Sequence, residues 1–509
     1  MKPLAILLPL LLLLPNPLLH AQTGSYSSVR DWRADHERQL IDTYLELLRL
    51  PNVASNDGDV SANAALLTRL FAERGFTVST SAERYPADAR APVVFARYTA
   101  TNPLGTLLLY IHYDGQPVTE SEWTHCPPFD PCLVGDNGAM ALTADLRSFD
   151  PQWRIYGRSA SDDKAPIMSL LGAMDALQAL GNTPRWNLLV ILDGQEESGS
   201  RNFRRYLSRH GDEFQADLAI ALDGPRHPSG LPTVYYGVRG GASLLVKVHT
   251  ARQDLHSGNY GNWAPDPAIA LGRLLASMKD DSGRVTIAGF YDQVTPLTTT
   301  EQAALAGIPA IEAELAATFG IAAPEQPDSR LETKLNWPTL NVLAMDAGGG
   351  LAAPSRTAIP AFAQARIAMR LVQGIDPQRQ IALVVEHIRG QGYHVVENRE
   401  PDDADRQQHP RLASVEFGGG SPATRVSMDE PLARPVVQAL TLDGVTPVQL
   451  PTLGGSLPFG DFSEGLGIPT VGVALVNHDN NQHGPDENLK ILNLWQGIEI
   501  LARIVTMEP

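Results

Sequence analysis

The run Leu188-Leu-Val-Ile-Leu192 carries five apolar residues without a polar break, between Asn187 and Asp193. A strand with one wet face would alternate, so this one is built to be covered on both faces. Such a strand belongs inside a sheet layered between helices, which restricts the chain to an α/β architecture. Three other stretches have the same texture: Thr106-Leu-Leu-Leu-Tyr-Ile-His112, Asp217-Leu-Ala-Ile-Ala-Leu222 and Thr470-Val-Gly-Val-Ala-Leu-Val476. Each runs into acids or imidazoles, namely His112-Tyr-Asp114, Glu196-Glu197, Asp223-Gly-Pro and the loop 477–487 with His483. In open parallel sheets, functional groups gather beyond the carboxyl ends of the strands. The predicted sheet is therefore mixed and mostly parallel, with its chemistry at one end.

At 509 residues the chain exceeds one ordinary core, so a second domain is expected. Between about residues 240 and 420 the texture changes: an alternating strand over 241–250, a helix over 265–278, a strand over 362–372, a helix over 377–388 and a strand over 393–397. This β-α-β-β-α-β outline predicts an inserted α+β, ferredoxin-like domain over 241–420, with residues 280–335 as a partly helical extra. The α/β domain, which carries the polar strand ends, then comprises 25–240 and 421–509. The acidic run 400–410 reads as an exposed loop.

The 57 acidic side chains outnumber the 40 basic ones, and the net charge of −17 disfavours nucleic acid or an anionic membrane as partner. Residues 1–21 have a basic start, an apolar centre and Ala21 at their end, the pattern of an export signal, which predicts a periplasmic or secreted protein. The only cysteines, Cys126 and Cys132, share a short proline-rich stretch. An exported protein favours a disulfide between them, with two free thiols as the alternative.

Taken singly, each candidate residue has a bland reading. Asp162 precedes a helical run and suits an N-cap, His112 suits a hydrogen-bonded strand end, and Glu196-Glu197 suits a solvated turn. Taken together, two imidazoles and several carboxylates at strand ends make a site for two divalent cations, because Zn(II) takes N and O ligands and one carboxylate can bridge.

In this order, His112-Tyr-Asp114, Gly157-Arg-Ser-Ala-Ser-Asp162-Asp163-Lys164, Glu196-Glu197-Ser-Gly-Ser200, Asp223-Gly-Pro, Asp254-Leu-His256-Ser-Gly258 and His483-Gly-Pro resemble the M20 family of metallopeptidases. The stretch from Pro265 to Asp292 is similar to the carnosinase and nonspecific dipeptidase branch. The resemblance implies one metal on His112 and Asp223, a second on Glu197 and His483, and Asp162 between them. It also implies Glu196 as general base, Asp114 behind His112, and a cis peptide after Asp162. His256, Thr357, Arg370 and Ser456 match positions that contact substrate. The implied cofactors are two divalent ions, Zn(II) first, with Mn(II) or Co(II) as alternatives. The implied activity is hydrolysis of dipeptides or short peptides by a homodimer paired through the inserted domains, with His256 serving the partner's site. An N-acyl amino acid hydrolase using the same site is the alternative. A non-catalytic dimeric binding protein is a third reading, and the presence of Glu196 argues against it. Ser159 and Ala165 stand where the family usually has glycine, which bears on backbone shape rather than on ligands.

Overall fold

The computed structural model describes residues 17–55, 58–135, 138–140, 143, 145–326, 329–348 and 357–509. Most of the expected export signal, residues 1–16, lies outside the described residues, and residues 17–21 open the helix Pro17–Leu48. Among the described residues no helix is long and apolar enough to cross a membrane.

Eight strands form the larger sheet, in the order Thr77–Thr80, Val94–Tyr98, Asn187–Asp193, Thr106–His112, Leu218–Ala221, Thr470–Ala474, Thr233–Tyr235 and Val448–Leu450. Its four middle strands, from Asn187–Asp193 to Thr470–Ala474, run parallel, and antiparallel pairs flank them. The unbroken apolar runs are explained by two cores. Leu107, Leu109, Ile111, Leu188, Val190 and Leu192 join the core under the helices Pro17–Leu48, Lys164–Ala179 and Ile491–Thr506. Leu108, Tyr110, Leu189 and Ile191 join the core with Phe203, Tyr206, Phe214 and Phe462 on the opposite face. One substitution-intolerant position follows from this packing. A Cβ on Gly472 would meet the Tyr235 ring at 1.9 Å, and that ring's hydroxyl donates to the Asp223 carbonyl at 2.8 Å, so the close approach helps fix a site residue.

The second sheet has the order Thr339–Ala347, Phe362–Leu371, Gly240–His249, Leu412–Ser421 and His394–Glu397. The helices Pro267–Ala276 and Pro377–Gly390 contribute Leu271, Leu274, Ile381, Val384 and Ile388 to its single covered face. The ferredoxin-like outline is present with one change. The closing strand beside Gly240–His249 is Leu412–Ser421, and His394–Glu397 is an added edge strand parallel to it. No strand was expected there, in a stretch that ends on Gly418-Gly-Gly420 and Ser421. The run 400–410 is likewise not wholly a loop: Asp402 and Asp405 bond each other's backbone N–H groups, a capping box that starts the short helix Asp403–Gln408. The extra segment is shared between the two sheets: Val285, Ile287 and Phe290 join this sheet's core, and the following helix turns to the other. Leu305 and Ile308 are buried against Ala221, Tyr235, Val448, Leu450 and Phe459 of the larger sheet's side, and Glu332 meets the buried His227 at 2.9 Å.

Candidate metal centre

The parallel pairing of Thr106–His112 with Asn187–Asp193 sets His112 opposite Asp193, so the turns after both strands emerge side by side. Asp114 joins those turns. Its Oδ1 and Oδ2 accept the backbone N–H groups of Glu196 and Glu197 at 3.0 and 3.2 Å, and its Oδ1 lies 3.4 Å from His112 Nδ1. The acid predicted to stand behind His112 therefore also fixes the Glu-Glu turn.

Asp162 occupies the middle of the cluster. Its Oδ1 is 2.9 Å from His112 Nε2 and its Oδ2 is 3.1 Å from His483 Nε2. Asp223 Oδ2 lies 3.9 Å from His112 Nε2, and Glu197 Oε2 lies 3.5 Å from His483 Nε2. The ligand atoms of His112, Asp162 and Asp223 fall within 4.8 Å of one another, as do those of Asp162, Glu197 and His483. The N-cap alternative for Asp162 fails, because the residue at the cap of Lys164–Ala179 is Asp163, whose side chain makes no capping bond. The Asp162–Asp163 peptide is cis, as the resemblance implied, and Ser159 has φ 61°, the left-handed region where glycine is favoured. The first set is deep and the second opens outward: the His112 side chain is 1% exposed and that of His483 53%.

The electrostatics fit cations. Burial, reinforced by Asp162 and opposed by the two histidines, pushes the Glu197 carboxyl up to about 7. Burial, against the pull of His112, pushes Asp223 up to about 6. Burial opposes protonation of the His112 imidazole, yet hydrogen bonds to Asp114 and Asp162 carry it well above its ordinary value. The positive groups acting on these carboxyls are His112 and His483, so the acids outnumber them and a bound cation relieves repulsion as well as gaining ligands. Glu197, Asp223 and His112 must all be deprotonated to ligate, so protons compete with the metal. Affinity for Zn(II) or Co(II) is expected to rise at least about tenfold per unit between about pH 5.5 and 7, as Asp223 and then Glu197 ionise. Competition against a chromophoric chelator at several pH values checks this; a flat profile contradicts it.

The predicted substrate residues form two separate pairs. Arg370 Nη1 donates to Ser456 Oγ at 3.0 Å, and Ser456 donates to the Arg239 carbonyl at 2.6 Å, which fastens the second sheet to the loop before the π-turn Asp461–Gly465. His256 and Thr357 share a small ribbon, Leu255–His256 against Ala358–Ile359, and Ser257 N–H and Oγ both bond the Thr357 carbonyl. His256 is exposed, and its Nδ1 accepts from Gly258 N–H within its own loop. The cysteines are paired as Cys126–Cys132, and Thr124 and His125 beside them donate to Asp486 in the His483 loop.

Sequence reasoning passed over the residues that hold this arrangement. Gln116 Nε2 donates to Glu197 Oε2 at 2.7 Å, and Asp163 accepts His112 N–H at 3.3 Å. Both lie within a few residues of named ligands, which was the available signal. Arg158 and Glu487, paired at 2.8 Å, gave none beyond Arg158's place in a motif and Glu487's at the end of the His483 loop.

Residues 108–507 match the model of peptidase family M20/M25/M40. The chain belongs to that family. Among relatives of this peptidase, a Cys-Gly metallodipeptidase of Schizosaccharomyces pombe is 25% identical over 421 residues, covering 81% of this chain and 82% of that protein. The human beta-Ala-His dipeptidase is 31% identical over 212 residues, 41% of this chain and 38% of that protein. An M20 family metallo-carboxypeptidase, Sso-CP2 from Sulfolobus solfataricus, superposes with a TM-score of 0.73 at 26% identity, covering 92% of this chain and 98% of that one. The peptidase thus sits beside the dipeptidase branch in sequence, and the M20 fold of a catalytic sheet with a second, lid-like sheet is the one observed.

Proposed function

We propose that this peptidase is a dinuclear metal-dependent exopeptidase that hydrolyses dipeptides or short peptides. The observation that carries the reading is Asp162, whose two oxygens address two different imidazoles, each backed by a further carboxylate. A bridging acid between two three-residue sets is what two cations need, and Zn(II) suits a nitrogen and oxygen donor set. When bound, such ions supply Lewis acidity that lowers the pKa of a water towards about 7 and polarises a carbonyl. Glu196 would accept a proton from a water held there and return it to the departing amine. Burial, opposed by His112 and reinforced by Asp223 and Glu197, lifts the Glu196 carboxyl well above its ordinary value, which makes the protonated form available for the second transfer. Arg370, steadied by Ser456, offers a bidentate donor for a substrate carboxylate. The names of the relatives, two dipeptidases and a carboxypeptidase, support a substrate with a free carboxylate.

The unit over 241–420 is assigned as lid and dimerisation module. Its edge strand Thr339–Ala347 exposes Val342 at 43%, Leu343 at 64% and Met345 at 52%, which supports pairing with a second copy. The disulfide supports export to an oxidising compartment.

The test combines metal analysis with a substrate panel. Two ions per chain, loss of activity on chelation and faster turnover of dipeptides than of N-acetyl amino acids are expected. Faster turnover of the N-acetyl compounds gives the deacylase reading instead, and activity unaffected by a strong chelator overturns both.

A further inference from the structure

We propose that Glu487 is the positioning residue that presets the outer metal set, Asp162, Glu197 and His483, by locking two of its three ligand-bearing segments together. This rests on the dinuclear reading above. Glu487 is fully buried, and each of its oxygens is committed. Oε1 accepts from Ser161 N–H at 2.9 Å, Ser161 Oγ at 2.8 Å and Asp162 N–H at 2.8 Å. Oε2 accepts from Ser159 N–H at 2.8 Å and Arg158 Nη1 at 2.8 Å. The same guanidinium, through Nη2, donates to the Gly484 carbonyl at 3.0 Å, one residue after His483. Finally, Gly157 N–H donates to the Glu487 carbonyl at 3.0 Å.

The two segments joined here are unlike the rest of the site. His112 sits on the last position of a central strand, and Asp223 follows another within two residues, so the sheet itself fixes two of the three inner ligands. Asp162 and His483 stand on irregular backbone: Ser159, Asn481, His483 and Asp486 all have positive φ without being glycine. Such backbone keeps one shape only when something over-determines it. A buried carboxylate that satisfies three backbone N–H groups and two side chains does that, and it also returns the carboxylate's desolvation cost. Asp162 is one of three inner ligands, the other two standing at strand ends, whereas in the outer set both Asp162 and His483 sit on segments that Glu487 joins.

The outer set should therefore weaken selectively when this network is cut. Glu487→Gln keeps the shape but turns an NH2 group towards N–H donors, so part of the network must open. The measurement is Zn(II) binding to purified full-length protein by competition with a chromophoric chelator, with thermal melting of the metal-free protein alongside. The unmodified protein should bind two ions. Glu487→Gln should hold the first near its original affinity and the second about 10- to 100-fold more weakly. Glu487→Asp, which keeps the charge on a shorter arm, should recover part of the second affinity. If Glu487→Gln does not fold, Ser161→Ala carries the same test, because it deletes one donor to Oε1 without adding bulk, and it should weaken the second ion alone by several-fold. Two ions bound at unchanged affinity in a folded Glu487→Gln or Ser161→Ala protein overturn the proposal. So does equal weakening of both ions, which marks a general structural role. Fewer than two ions in the unmodified protein refutes the dinuclear reading instead.

Discussion

Glu196→Gln is expected to keep both ions and lose turnover by about 10²- to 10⁴-fold, whereas the same change at Glu197 is expected to release an ion. The neighbours differ in what their carboxylates face. Glu197 points its Oε2 at His483 and takes the Gln116 amide on the same oxygen, so a neutral amide there removes a charged ligand from the outer set. Glu196 belongs to neither three-residue set, and its backbone N–H is fixed by Asp114. Gln at 196 preserves that anchor and the side-chain shape while removing the acceptor for the water's proton. Metal content by atomic emission together with kcat separates the two. Both variants fully loaded and equally slow would contradict the division of labour.

Mixing two inactive proteins, Glu196→Gln and His256→Ala, is expected to restore about a quarter of wild-type activity once subunits have exchanged at random. Half the dimers are then mixed, and each mixed dimer has one site with an intact Glu196 and the other chain's intact His256. The geometry behind this is the isolation of His256. Its ring bonds stay within its own loop, its ribbon partner is the Thr357 segment, and Tyr260 and Trp263 beside it are exposed at 41% and 79%. The proposed two-fold pairing of lid sheets would give that loop a site to enter. Heterodimers verified by differential tagging that remain inactive would show that His256 serves its own chain or plays no part in turnover.

The proposed ligands His112, Glu197 and Asp223 were legible because strand ends are. A continuous apolar run announces a doubly covered strand, and the polar residues just past His112, Leu192 and Leu222 are forced to one edge of the sheet by the parallel pairing. What holds the ligands was not legible, for the same reason. Glu487 is separated by 325 residues from the Asp162 N–H it accepts, and no local pattern marks a buried acid whose partners are backbone groups of a distant turn. The lid failed differently. Its closing strand carries three consecutive glycines: Gly420 pairs with Ala242, but Gly418 and Gly419 fall in a bulge before the Phe417–Leu244 pair, Gly419 with φ 84°, so the strand continues across a break that local pattern cannot bridge. The reading of 280–335 as partly helical says nothing of what the segment covers. That this is the catalytic sheet's edge, through Leu305 and Ile308, is tertiary information.

The strand order also dictates when this protein can become whole. Thr470–Ala474 lies between Leu218–Ala221 and Thr233–Tyr235, two strands that follow each other closely in the chain. During synthesis those two stand ready with a slot between them for roughly the time needed to make 240 more residues. Until Thr470 emerges, both present unpaired backbone to their surroundings, a template for the wrong strand. The segment that fills the slot leads directly into the His483 loop, so closure of the sheet and completion of the outer ligand set are one event. A chain interrupted shortly before that point carries four of the five proposed ligands and an open sheet, which makes it prone to aggregation and poor at holding metal.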